Sequence, residues 1–145
     1  MTVSDKILNV YLQVTQHASR QFRIHFGKWN LTFPQALILN TLLEEGGTLP
    51  ISQLAERTGS ANSTVSGIVD RLEKLGLVRR ERSETDRRVI YVSLTEKCRA
   101  MREDARTDVR GYFSALLDTL SQEDKKVVLE GLTKLDQALD EGEKG

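Results

Sequence analysis

Two short stretches hold most of the side chains in this chain that could do chemistry. Between Arg79 and Arg88 stand five arginines (Arg79, Arg80, Arg82, Arg87, Arg88) and three acids (Glu81, Glu84, Asp86). Guanidinium groups are rigid forks of hydrogen-bond donors. The chemistry on offer is therefore anion binding, not bond breaking. Asp86 and Arg88 are two positions apart, close enough for an ion pair that would stiffen a tight turn. Upstream, Asn62, Ser63, Thr64 and Ser66 bring small amide and hydroxyl groups together, and Arg71 follows on the same segment.

Other chemistries lack their residues. No nucleophile stands in a pattern with a base, and no glycine-rich phosphate loop is present. Cys98 is the only cysteine, so neither an intramolecular disulfide nor a cysteine-based zinc site can form. Two histidines, His17 and His25, are too few for a dedicated metal cluster. The sequence thus predicts no enzyme, no metal and no cofactor. Basic and acidic residues each number 21 in 145, so net charge gives no argument for nucleic acid or for a membrane surface. The distribution is uneven: residues 48–95 carry eight basic and six acidic side chains, and residues 96–145 carry nine and twelve. No apolar run approaches the roughly 18 residues of a membrane span. The N-terminus MTVSDKILNVYLQVTQ lacks a basic leader region, so a cytoplasmic chain with no membrane partner is expected.

The elements that must position these groups are mostly helices. Residues 4 to about 26 read as one long helix started by Ser4 and Asp5, with Ile7, Leu8, Tyr11, Leu12, Val14, Ala18, Phe22 and Phe26 at helical spacing. Thr32 and Gln35 have the spacing of a capping box, and the helix they start is apolar nearly all round, which predicts burial. A short helix over about Ser52–Thr58 is followed by Gly59-Ser60-Ala61 and then a helix over about Asn62–Leu75. Val65, Ile68, Val69, Leu72 and Leu75 form its apolar stripe, and Gly76 suits the position just past its end. Residues 77–82 and 88–94 read as two strands around a turn at Ser83–Arg87, because Ile90, Val92 and Leu94 alternate with Tyr91 and Ser93. Thr95 starts a helix to about Leu120, with Met101, Ala105, Val109, Tyr112, Phe113, Leu116 and Leu117 as its stripe. Ser121 starts the last helix, with a frayed tail from Glu141. Cys98, in a first turn, is expected to be packed or half-exposed, without a redox role.

Helix, sharp turn, helix and β-hairpin is an order with a physical use. The second helix of such a unit can enter a DNA major groove with its N-terminal residues toward the base edges. Small side chains at Asn62, Ser63, Thr64 and Ser66 would let the backbone come close, and Arg71 could hold a phosphate. An Arg-rich hairpin beside that helix could place Arg82, Arg87 and Arg88 in the adjacent minor groove, where negative potential is concentrated. A winged-helix module that binds a protein instead of DNA is the alternative, favoured by zero net charge and by Glu81 and Glu84 near the hairpin.

The stretch SQLAERTGSANSTVSGIVDRLEKLGLVRRERSETDRRVIYVSLTEKCRAM resembles the winged helix–turn–helix of the MarR family of multiple antibiotic resistance regulators. Leu54–Gly59 match its L-A-x-x-T-G element, Thr64–Val78 its T-V-S…V-D-R-L-E-K-L-G-L-V element, and Asp86, Arg88, Leu94 and Thr95 its D-x-R…L-T signature. The resemblance implies a mainly α fold with a small β-hairpin wing. It implies a DNA-binding lobe at residues 33–95 and a helical dimerisation lobe from residues 1–30 and 96–145. Asn62, Ser63, Thr64, Ser66, Arg71, Arg82, Arg87 and Arg88 would touch DNA, with Asp86 holding the wing. It further implies a homodimeric repressor on a palindromic operator in double-stranded DNA, released by a phenolic or other small effector or by oxidation. His17, Arg20, Phe26 and Trp29 are the effector candidates. Two positions depart from the family pattern. Ala61 stands where a capping hydroxyl is usual, so Ser60 or Asn62 must cap the recognition helix. Gly67 replaces a larger polar or basic residue and costs the helix up to about 1 kcal/mol.

Overall fold

A computed structural model of the chain describes residues 1–103 and 109–144. The elements are α1 (Val3–Phe26), a 3-10 turn (Gly27–Trp29), α2 (Phe33–Glu44), β1 (Thr48–Pro50), α3 (Ile51–Thr58), α4 (Asn62–Lys74), β2 (Val78–Arg82), β3 (Ile90–Leu94), α5 (Glu96–Glu103), α6 (Val109–Leu117) and α7 (Gln122–Lys144). The chain divides into two compact units, Met1–Thr107 and Asp108–Gly145.

The first unit is built around one core. Ile38, Leu39 and Leu42 of α2, Leu54 and Ala55 of α3, and Val65, Val69 and Leu72 of α4 share a buried cluster with Leu49, Val78, Val92 and Leu94 of the sheet and with Cys98. Helix α2 forms as the sequence predicts. The Thr32 hydroxyl accepts from the Gln35 N–H at 3.3 Å, and the Gln35 side chain accepts from the Thr32 N–H at 3.0 Å. Seven of its residues, from Gln35 to Leu42, are buried. Three of these are polar and keep partners, as burial requires: Gln35 in the capping box, Asn40, which donates to Glu44 at 2.8 Å, and Thr41, which donates to the Leu37 carbonyl at 2.8 Å.

The turn between α3 and α4 depends on Gly59, whose φ of 66° is left-handed. The Ser60 N–H reaches back to the Ala55 carbonyl at 3.0 Å and closes α3. Helix α4 starts at Ala61 with no side-chain cap, so neither Ser60 nor Asn62 takes the capping role expected of them. Its end matches expectation: Gly76 has φ 77°, its N–H reaches the Glu73 carbonyl at 2.9 Å, and the Leu77 N–H reaches that of Leu72 at 3.0 Å. Leu75, expected in the buried stripe, sits at the C-cap and is 45% exposed.

The sheet has the order β1-β3-β2, antiparallel throughout. Arg79 pairs with Ser93, Arg80 with Val92 and Glu81 with Tyr91. Val92 and Leu94 are buried while Tyr91 is exposed, which is the alternation the sequence carries. Strand β1 was not expected. Three residues after Gly46-Gly47, the last of them Pro50, are too few to show a period, and Pro50 is tolerated because the strand is an edge.

Helix α1 begins one turn-residue earlier than expected, at a capping box of Thr2 and Asp5, with Ser4 inside the helix. Of its predicted stripe Phe22 is buried, edge-on to Phe33 at 5.5 Å between ring centres. Ile7, Leu8, Tyr11, Leu12 and Val14 remain exposed. Thr95 caps α5 by accepting from the Cys98 N–H at 3.2 Å, and Cys98 itself is buried. The long helix expected from Thr95 to Leu120 is described as α5 and α6; Ala105 and the Val109 side chain lie outside the described residues. In the second unit, Ser121 caps α7 by accepting from Asp124 at 3.0 Å. The tail from Glu141 is not frayed: α7 continues to Lys144, which pairs with Asp140 at 3.2 Å. Val127, Leu129, Leu132 and Leu139 on α7 are exposed.

These local geometries set opposite signs for small substitutions. Gly59→Ala should lower unfolding free energy by about 1–2 kcal/mol, because alanine is strained in the left-handed region. A Cβ at Gly67 meets nothing within 4 Å, so Gly67→Ala should raise it by up to about 1 kcal/mol. Urea denaturation of the two variants measures both; equal signs would contradict the backbone assignment at one of the sites.

Candidate nucleic-acid interface

Helix α4 is held from one side. Val65, Val69 and Leu72 are fully buried, which leaves Asn62, Ser63, Thr64, Gly67 and Arg71 exposed on the other. Ser66 is half-buried at the boundary. Asn62 apart, Ser63, Thr64 and Gly67 carry nothing longer than threonine on that face before Arg71, so its first two turns are close to bare backbone. Arg71 makes no ion pair among the described residues and its cation faces solvent. The uncapped N–H groups at Ala61 and beyond add the positive end of the helix dipole.

The wing tip is organised by two residues. The Asp86 N–H donates to the Ser83 hydroxyl at 3.1 Å, and the Ser83 N–H to the Val89 carbonyl at 2.9 Å. The Asp86 carboxylate accepts from the Arg88 N–H at 3.1 Å and from its guanidinium at 3.1 and 3.3 Å. The ion pair predicted from their spacing is therefore present and bidentate. Arg88 is nonetheless 90% exposed at its side chain. Asp86 orients the guanidinium without covering it. Arg82 is exposed as well, but its guanidinium is engaged across the hairpin, donating to the Arg87 carbonyl. Arg79 and Arg87 are exposed.

Five contacts tie α4 to the wing and to the start of α5, and sequence reasoning missed them. The Arg80 guanidinium donates to the Ser66 carbonyl at 3.0 Å and pairs with Asp70. The Arg80 N–H donates to Glu73 at 3.1 Å. At the other end of α4, Lys97 donates to the Leu75 carbonyl at 2.9 Å and the Thr95 hydroxyl to that of Gly76 at 2.6 Å. Only the position of Thr95 as a helix start was visible in the sequence. Asp70 and Arg80 are ten positions apart on different elements, and no periodicity links them.

The effector candidates are dispersed by comparison. His17 and Arg20 are exposed on α1, and Trp29 is half-buried in the 3-10 turn. Arg20 lines an open polar groove with Thr15, Gln16, Ser19 and Arg23; His17 does not. The Phe26 side chain lies outside the described part of the chain. Among the described residues no group of three His, Cys, Asp or Glu could hold a metal ion, and no helix is long and apolar enough to cross a membrane.

A bare-faced helix after a sharp turn, with an Arg-tipped ribbon bonded to its flank, defines a winged helix–turn–helix DNA-binding regulator. Comparison with known proteins agrees. The sequence pattern of the MarR family matches residues 29–89. The HTH-type transcriptional regulator YfiV of Bacillus subtilis is 36% identical over 135 residues, which cover 93% of this chain and 84% of that protein. The HTH-type transcriptional regulator MgrA of Staphylococcus aureus is 34% identical over 138 residues, covering 93% and 88%. Among solved structures, AbfR bound to DNA superposes with a TM-score of 0.67 at 23% identity, covering 94% of this chain and 93% of that one. The organohalide-sensing regulator RdhR-CbdbA1625 with 2,4-dichlorophenol superposes with a TM-score of 0.73 at 23% identity, covering 95% and 82%. The chain belongs to the MarR family of transcription regulators, and it is not an enzyme.

The Asp86 carboxyl is held below the ordinary carboxylate range, first by the Arg88 side chain and then by the Arg88 N–H. A depressed pKa means that the pairing is complete at neutral pH and is lost only as pH falls through that lowered value. An NMR titration should show Asp86 ionising below the normal range in the wild type and moving up in Arg88→Ala. Identical midpoints in the two proteins would mean that the tip is not paired in solution.

Proposed function

We propose that the chain is a cytoplasmic, homodimeric repressor that reads a palindromic site in double-stranded DNA. The N-terminal face of α4, with Asn62, Ser63, Thr64 and Ser66, enters the major groove. Arg88 enters the neighbouring minor groove, Arg87 and Arg82 flank it, and Arg71 holds a backbone phosphate. The observation that carries this reading is the bidentate Asp86–Arg88 pair with the guanidinium still exposed. An ordered, desolvatable cation on a narrow ribbon suits a narrow minor groove.

Residues 33–95 act as the reading lobe, and residues 1–30 with 96–145 as the dimerisation lobe. In support, α1 exposes Ile7, Leu8, Tyr11, Leu12 and Val14, and α7 exposes Val127, Leu129, Leu132 and Leu139. Exposed apolar surface of that extent is normally covered by a partner. Two reading lobes then take half-sites about one helical turn apart. A small phenolic effector, of the kind named for the RdhR neighbour, releases the DNA. His17, Arg20, Phe26 and Trp29 are its proposed contacts, with Arg20 beside the polar groove on α1.

Fluorescence anisotropy on DNA from upstream of the chain's own gene tests the reading. Binding should be tight and saturable, and log affinity should fall linearly with log salt. Arg88→Ala should weaken it about tenfold and reduce the salt slope by roughly one unit per lost contact. Sedimentation should give a dimer at micromolar concentration, and 2,4-dichlorophenol should lower the affinity. A monomer, or affinity equal to that for random duplex, would sink the proposal.

A further inference from the structure

We propose that Arg80 is a positioning residue for DNA reading: it sets the placement of the wing relative to the recognition helix and does not itself touch DNA. The inference rests on the two-groove reading above. Its basis is a clasp of three bonds. The guanidinium of Arg80 spends both donors of one terminal nitrogen on the Ser66 carbonyl and the Asp70 carboxylate, and the backbone N–H of the same residue donates to Glu73. Positions 66, 70 and 73 are spaced by four and three, so one strand residue grips a single stripe along α4. That stripe flanks the exposed face of Ser63, Thr64, Gly67 and Arg71. Two residues further along β2, Arg82 braces the Arg87 carbonyl. The tip that carries Arg88 is thus tied back to α4 through Arg80.

The clasp is poorly suited to stabilising the fold. Asp70 is 55% exposed, and a half-solvated ion pair contributes little. The Arg80 Nε–H is buried without an acceptor among the described residues, which is unfavourable. Hydrophobic packing of Val78 and Val92 already holds β2 and β3 to the core. What the bonds add is a restriction on angle and distance. Two grooves of one duplex must be entered together, so error in that angle weakens reading of a specific site. Loose electrostatic contact with random DNA does not need it.

Charge gives the test a sign. Asp70 is an anion beside the DNA face, so by electrostatics alone Asp70→Asn would tighten binding. Under the positioning role it weakens it. The measurement uses the full chain and a duplex selected by the wild type from a random-sequence pool, with a random duplex for comparison, over a salt series. Arg80→Met and Asp70→Asn should each bind the selected duplex about tenfold more weakly, with the random duplex and the salt slope unchanged. The double variant should be no weaker than Arg80→Met, because the two changes remove one interaction. Asp70→Asn lies at a half-exposed site and keeps the test open should Arg80→Met fold poorly. Three results would overturn the inference: Asp70→Asn binding as well as wild type or better, losses that add in the double variant, or a salt slope reduced by Arg80→Met. Arg88→Ala separates the two levels. Wild-type binding by Arg88→Ala removes the two-groove reading and the clasp's purpose with it. A weakened Arg88→Ala beside an unweakened Asp70→Asn removes the positioning role alone.

Discussion

The winged helix–turn–helix depends on burying one side of a thirteen-residue helix while leaving the other side nearly bare. Val65, Val69 and Leu72 are fully buried, and burial of each stabilises by roughly 1.5–3 kcal/mol. That packing offsets two local weaknesses in the same helix. Its N-terminus has no side-chain cap, and Gly67 interrupts its second turn. Those weaknesses lie on the face that faces outward. A capping side chain or a larger residue there would stand between the helix backbone and whatever it approaches. Local helix stability is given up where close approach matters, and the core holds the helix in its place.

The electrostatics follow the same division. The chain is neutral in sum, yet its charges are sorted by the fold. Arg57 pairs with Glu45 and Arg80 with Asp70, both within the body of the unit. Arg71, Arg79 and Arg87 stay exposed, and Arg88 is oriented by Asp86 while its side chain is 90% exposed. A neutral protein so arranged can present a local basic surface without the general stickiness of a basic one.

In α1 and α7 the balance is reversed. Helices α1 and α7 are long and well formed, with a capping box on the first and a serine cap on the second. Yet α7 buries no residue, and most of the apolar stripe of α1 is exposed. Both helices hold their shape with local hydrogen bonds and leave an apolar face exposed.

The local elements were legible along the chain, because their signals are local. Thr32 with Gln35 started α2, Gly76 ended α4, the alternation of Ile90, Val92 and Leu94 made a strand, and the spacing of Asp86 and Arg88 announced their ion pair. Where a local signal was weak or duplicated, the reading slipped: Ser4 for Thr2, a cap at Ser60 or Asn62 where there is none, and a frayed end where α7 continues. The tertiary structure alone decided what joins elements far apart in sequence. Strand β1 exists because Leu49 meets Val92, and Lys97 and Thr95 close the end of α4 from the start of α5. Arg80 became the link between helix and wing for the same reason. Five arginines between Arg79 and Arg88 look alike on paper. Which of them turns inward is set by the register of β2 against β3 and by the acids that α4 brings alongside, and neither quantity is written in the spacing of residues along the chain.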